Sequence, residues 1–188
     1  MRNGIEKLGK LTLKEKVRIS DPCYDVNTWC AGTLDNVLPG EYIAYVKKTN
    51  GRVSNLWVHH VSRPEITLES ITEKTDIDVG VDAGCAGIFD QEYFEEYHQP
   101  TVDGRMDSRH QEWYDRFVQE FDGVTIIDGK CAISDSGWGD GSYSCYIKKD
   151  ENQKIIGIHV DYSYNEDDYM DDEEDWGEDD EEYGFYEA

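Results

Sequence analysis

Basic side chains, paired cysteines and long apolar runs are scarce in this chain, and each shortage removes a class of protein. Only 18 Lys and Arg stand against 42 Asp and Glu, for a formal net charge of −24. Nucleic acid is held by neutralising its phosphates with cations, so direct nucleic-acid binding is not expected of a chain with this balance. No apolar run approaches the roughly 20 residues that span a bilayer, and the opening MRNGIEKLGK lacks the apolar stretch of a secretory signal. The expectation is a soluble, cytoplasmic protein with no membrane partner. The five cysteines (Cys23, Cys30, Cys85, Cys131 and Cys145) are odd in number and include no Cys-x-x-Cys pair. They suit reduced, mostly buried thiols better than a disulfide framework or a zinc site. Also missing are the serine nucleophile elbow, the phosphate loop with its lysine and the dinucleotide fingerprint.

What is present is unevenly spread. Residues 166–188 hold 14 acids and no Lys or Arg, so removing them takes the formal charge from −24 to −10. Such a block reads as a disordered extension, because like charges repel and little apolar surface offsets the cost of ordering. The organisation expected is a polar leader at 1–10, one domain over 11–164 and an acidic aromatic tail at 165–188, a length that suits one sizeable core. Acidic stretches with spaced aromatics can bind a basic groove, rings anchoring and charge steering. Trp176 and Tyr183 are therefore candidate contacts for a basic protein partner.

Within the body, residues 11–20 alternate: Leu11, Leu13, Val17 and Ile19 fall on one side, with Glu15 as the exception. This is the period of a half-buried strand, and Pro22 ends it by removing a ladder donor. Residues 23–40 have no clear period and read as a loop laid over the core by Tyr24, Trp29 and Leu34. Residues 41–48 and 52–61 form a hairpin across Asn50-Gly51, a pair that tolerates positive φ. Ile77, Val79 and Val81 make a strand that turns or bulges at Ala83-Gly84 and resumes over 85–89. Asp90 caps a short helix over 91–97. A longer helix opens with Ser108 and Gln111 at capping-box spacing, buries Trp113, Phe117, Val118 and Phe121, and stops at Gly123. Strands over 124–128 and 130–135 lead into SGWGDGSYSCYI at 136–147.

That last stretch is the most distinctive. Gly137, Gly139 and Gly141 alternate with Trp138 and Asp140, a costly composition to order. Its GSYSCYIKK at 141–149 matches GEYIAYVKK at 40–48 in the glycine, both tyrosines and both lysines. An Ile-Ser-Asp triplet precedes each (19–21 and 133–135), and a second apolar strand with histidine near its end follows each (His59 and His60, or His159). Two such copies are expected to pack as equivalents about one core. The fold class is thus α+β: predominantly antiparallel β, a sandwich or open barrel built on two similar hairpins with one main helix packed on them.

Asp21, Asp82 and Asp140 each sit in a tight turn between strands. If the sheets bring those turns to one end, they form a polar ligand or partner site together with Trp138 and Tyr143. The same three carboxylates are candidate ligands for a divalent cation, which prefers several oxygens. The plainer role for each is capping its own turn. Pairing Cys23 or Cys145 with His59, His60 or His159 as a nucleophile lacks the positive neighbour that lowers a thiol pKa.

SDPCY at 20–24, LPGEY at 38–42, GVDAGCAGIFD at 80–90, SGWGDGSYSCYI at 136–147 and IIGIHVDY at 155–162 together resemble a bacterial and phage family, number 4241 among the domains of unknown function. The resemblance covers most of 19–162. It departs in the acidic tail and at Ser144-Cys145, where a Pro-Val pair is more usual. It implies a shared fold and site and transfers no catalytic residue. The function expected is a non-enzymatic binding protein, phage-encoded and acting on a host protein, with the acidic tail for a basic partner. The alternative is a small metal-dependent hydrolase using the clustered turn carboxylates.

Overall fold

Alternation decides where the strands face. Tyr42, Ala44 and Val46 are fully buried while Ile43, Tyr45 and Lys47 between them are only partly so, and the same rhythm repeats through two antiparallel sheets. The computed structural model describes residues 3–163. In chain order its first strands are β1 (Gly4–Leu13), β2 (Val17–Ser20), β3 (Gly32–Leu34), β4 (Gly40–Thr49), β5 (Arg52–His60), β6 (Glu73–Val81) and β7 (Cys85–Asp90). Helices α1 (Gln91–Tyr97) and α2 (Ser108–Glu120) follow, then β8 (Val124–Ile127), β9 (Cys131–Asp135), β10 (Gly141–Lys149) and β11 (Ile155–Asp161). One sheet has the order β1-β4-β5-β11-β10-β6 and the other β3-β2-β7-β9-β8. The main core, with Leu11, Ile19, Tyr42, Leu56, Ile88 and Ile158, draws on both sheets. A second cluster packs α1 and α2, through Phe94, Trp113 and Phe117, against Phe89 and Ile133. A third buries Trp57 and Ile156 under Ile66, Leu68 and Ile71.

The two similar hairpins pack as equivalents. β5 pairs with β11 at the middle of the larger sheet, Trp57 directly opposite His159, with Leu56↔Val160 and Val58↔Ile158 on either side. The order outward is the same on both flanks, hairpin and then one further strand, so the sheet has an approximate twofold axis between Trp57 and His159. Matching positions do matching jobs. Leu11 faces Tyr42 as Val79 faces Tyr143. The hydroxyl of Tyr42 donates to Leu38 O and that of Tyr143 to Gly139 O, each four residues back and each at 2.8 Å.

Several local expectations change. Residues 11–20 are not one strand: the chain leaves the larger sheet after Leu13 and enters the smaller one at Val17. Glu15 forces this, because an ionised carboxylate on the apolar side costs too much to bury; the chain turns there and Glu15 pairs with Lys154 at 2.8 Å in the open. Most of the polar leader belongs to β1, a sheet edge where Lys7 and Lys10 guard against further pairing. Residues 23–40 include β3, and Trp29 is 91% exposed instead of covering the core. In α2 the cap is Asp107, whose carboxylate accepts from Arg109 N at 2.9 Å, and not Ser108. Val118 is 56% exposed, and the buried stripe runs through His110, Trp113 and Phe117. Asp90 caps α1 as expected.

Candidate functional site at the glycine-rich turn

The turn between β6 and β7 presents three consecutive amides, and two acids from distant parts of the chain take all three. Asp21, buried at the end of β2, accepts from Asp82 N at 2.9 Å and Ala83 N at 2.7 Å through one oxygen, and from Cys23 N at 2.7 Å through the other. Asp140 accepts from Gly84 N at 3.1 Å. Gly84 O in turn accepts from Ser136 N at 3.0 Å. The Asp-Pro, Asp-Ala-Gly and Gly-Asp-Gly turns therefore meet, as the sequence suggested. Asp21 caps its own turn through Cys23 N, as expected, and also holds the turn after β6. Asp140 bonds that neighbouring turn at Gly84 N, and Asp82 accepts from Tyr24 OH at 2.8 Å.

This use of the oxygens bears on metal binding. Lone pairs aimed at backbone N–H groups are spent, and among the described residues no group of three or more His, Cys, Asp or Glu could hold a metal ion. Asp21, Asp82 and Asp140 are near one another as struts and are not brought together as a divalent-cation site. Cys23 and Cys145, the two thiols considered as nucleophiles, are shifted the wrong way for that role. Burial, reinforced at Cys23 by the Asp21 carboxylate, pushes the Cys23 thiol far above its ordinary value, and burial pushes Cys145 up to about 12. A nucleophilic thiol needs the opposite shift.

The glycine turn itself is held tightly. Gly137 has φ +70°, and a Cβ there would lie 1.9 Å from Val53 O, so only glycine fits where the turn crosses β5. Gly139 O accepts from both Ser136 Oγ at 2.5 Å and Tyr143 OH at 2.8 Å. Arg52 donates to Gly137 O at 2.9 Å and lays its guanidinium 4.9 Å from the centre of the Trp138 ring. Trp138 is nevertheless 54% exposed. It stands with Arg52 as a ridge between two hollows. One, of about 460 Å³, is lined by Lys48, Asp122 and Asp135 along with the main chain of Gly84, Gly123 and Gly139. The other, of about 330 Å³, is lined by Lys47, Asn50, Ser54 and Ser163.

Trp138, Asp140 and Tyr143 thus share one site with Asp21 and Asp82, though Asp21 and Tyr143 act from behind it. Trp176 and Tyr183 lie outside the described residues. Arg52, Lys48, Asp122 and Asp135 were not anticipated. For Asp135 a signal existed in the repeated Ile-Ser-Asp: Ser20 Oγ donates to Asp21 O and Ser134 Oγ to Asp135 O, both at 3.1 Å. Asp21 caps a turn, whereas the Asp135 carboxyl faces the larger hollow, its pKa raised by burial.

All the turns that build this site fall within residues 15–160, and over that span the sequence matches the family model described as protein of unknown function, DUF4241. The chain belongs to the DUF4241 family. The family span takes in both hairpins, both helices and every residue of the Asp21–Asp82–Asp140 arrangement, and stops short of the acidic tail. No curated protein and no solved structure matches the chain.

Proposed function

We propose that this DUF4241 protein is a non-enzymatic binding protein of the cytosol, and that the 460 Å³ hollow beside Trp138 receives a segment of a partner protein. The observation that carries this is a half-exposed tryptophan held stiffly over an arginine at the edge of that hollow. Binding energy concentrates in such Trp and Arg anchors, and an anchor already fixed in place loses little entropy on association. The glycine turn, its two hydrogen bonds onto Gly139 O and the Asp21 and Asp140 struts supply that fixity. Lys48 and Arg52 on one wall and Asp122 and Asp135 on another favour a polypeptide carrying both charge signs. The free thiols suit a reducing compartment. The acidic tail serves a basic partner in the same reading.

The test is recovery of a partner from the native host with full-length protein. Trp138→Ala, melting like wild type, should weaken capture of a specific partner by about 2 kcal/mol or more, roughly 30-fold in Kd. Undiminished capture by both Trp138→Ala and Arg52→Ala would remove the hollow from the function.

A further inference from the structure

The 330 Å³ hollow differs from its neighbour in charge: Lys47 and Arg52 line it, and among the described residues no carboxylate does. Neither cation forms an ion pair among those residues. Both come from the first hairpin, Lys47 near the end of β4 and Arg52 at the start of β5, with Asn50 in the turn between them. The turn thus sets two positive charges around one concave surface. Several other polar side chains there are occupied with one another: Thr49 Oγ1 lies 3.1 Å from Ser54 Oγ, Ser54 Oγ donates to Asn55 Oδ1 at 2.9 Å, and Asn55 Nδ2 donates to Asp161 Oδ1 at 2.9 Å. Ser163 N donates to the same Asp161 oxygen at 2.9 Å, and that carboxylate stays out of the lining. What is left unspent consists mainly of donors: the Lys47 ammonium, the Arg52 N–H groups not used on Gly137 O, and the Asn50 side-chain amide.

We propose that the 330 Å³ hollow binds a small phosphate ester, its phosphate received by Lys47, Arg52 and the Asn50 amide. The volume is at the lower end of the range for small-molecule sites, about 300–1,000 Å³. A phosphate ester carries a charge of about −1.5 to −2 and three acceptor oxygens, which suits two cations and an amide drawn from three positions of one hairpin. A carboxylate offers one charge and two oxygens in a plane, and leaves one cation unanswered. The protein's overall negative charge limits the size of the occupant. Beyond about 8 Å that charge is screened, so a single phosphate is governed by the cations beside it, whereas a polyanion would lay further phosphates against the acidic surface. Charge also separates the two hollows, because Asp122 and Asp135 in the larger one repel the same group.

The experiment titrates the full-length, nitrogen-15-labelled protein with ribose 5-phosphate, with ribose and with succinate, all at one ionic strength, and follows the backbone and side-chain N–H signals. The expected result is saturating shifts gathered at residues 47–55 and the Trp138 indole with ribose 5-phosphate, and none with ribose. Lys47→Met and Arg52→Met should each weaken the Kd about tenfold or more, the loss of one charge-assisted bond. Arg52 also ties down the glycine turn, so if Arg52→Met melts below wild type, Lys47→Met decides, since the Lys47 side chain holds no hydrogen bond among the described residues. Lys47 lines this hollow and not the larger one, so its variant reads this site apart from the partner site. Shifts that fail to saturate, equal shifts with ribose, or wild-type affinity in Lys47→Met would overturn the proposal. Succinate bound as tightly as the ester would overturn the choice of phosphate.

Discussion

Asp21 and Asp140 look alike in sequence, acids in turns beside Pro or Gly, yet their surroundings predict very different costs of neutralising them. Asp21 is fully buried and accepts three backbone N–H groups. Asparagine is nearly isosteric, but one of its two ends is an NH2. If its oxygen stays on Asp82 N and Ala83 N, the NH2 faces Cys23 N–H, donor against donor. A hydrogen bond to a charged acceptor contributes about 1.5–3 kcal/mol, and leaving a buried donor unsatisfied costs about 1–3 kcal/mol more. Asp21→Asn should therefore destabilise by roughly 3–5 kcal/mol. Asp140 is exposed and makes one bond, to Gly84 N; asparagine can keep that bond with its oxygen, so Asp140→Asn should cost about 0.5–1 kcal/mol. Urea unfolding of both variants in the full-length chain reads the difference as a shift in midpoint at unchanged slope. Equal costs, or Asp21→Asn within about 1 kcal/mol of wild type, would refute the assignment of Asp21 as the strut of the three-turn junction.

Three other perturbations follow from the packing. Phe117, stacked on Trp113 at 5.6 Å and buried, should cost about 3–5 kcal/mol as Phe117→Ala by thermal or urea unfolding, and a near-neutral result would misplace α2. Gly137→Ala must relieve a 1.9 Å approach to Val53 O at φ +70°; it should shift the Trp138 emission and lower the melting temperature, and an unaltered spectrum would argue that the turn is loose. Burial, aided by the neighbouring His110, lowers the His98 pKa to about 3. Below its unfolded value of about 6.5 the unfolded chain binds a proton that the native state refuses, so stability is full above that pH and falls by about 1.4 kcal/mol per unit down to about 3. His98→Phe should flatten that part of the pH–stability curve, and an unchanged slope would assign the acid sensitivity elsewhere.

The hairpins, the Asp90 cap and the meeting of three turns were legible because each rests on local chemistry: alternation, a dipeptide suited to positive φ, an acid one residue before a helix. The repeat was legible to the point of placing Tyr42 and Tyr143 as equivalents. What escaped depends on neighbours far along the chain. The break at Glu15 was visible only as an exception to alternation, and its resolution needed Lys154, more than a hundred residues away. Ser108 and Asp107 both suit a helix cap, and sequence spacing favoured the wrong one. The Arg52–Trp138 pair joins a hairpin turn to a glycine turn 86 positions later, and no periodicity in either segment records that encounter. The plainer expectation, acids serving backbone amides, holds for Asp21 at its own turn; that Asp21 and Asp140 also reach across to the amides of the turn after β6 is recorded by no local pattern.

The central seam of the larger sheet has a consequence for how the chain acquires its structure. Each hairpin closes between residues near one another in sequence, Thr49 on Arg52 and Lys149 on Ile155, a microsecond event for an isolated hairpin. Their union joins His59 to Gly157 and Asn55 to Asp161, across an interval that contains β6 to β9 and both helices. Closing so wide a loop is entropically expensive before any contact rewards it. The two halves of the symmetric sheet should thus be early and independent, and their pairing late, with the smaller sheet assembled in between. During that interval β5 and β11 each hold an open edge, and every molecule carries two nearly interchangeable ones. A chain built from two like hairpins is therefore exposed, until its last step, to exchanging one of them with a neighbour.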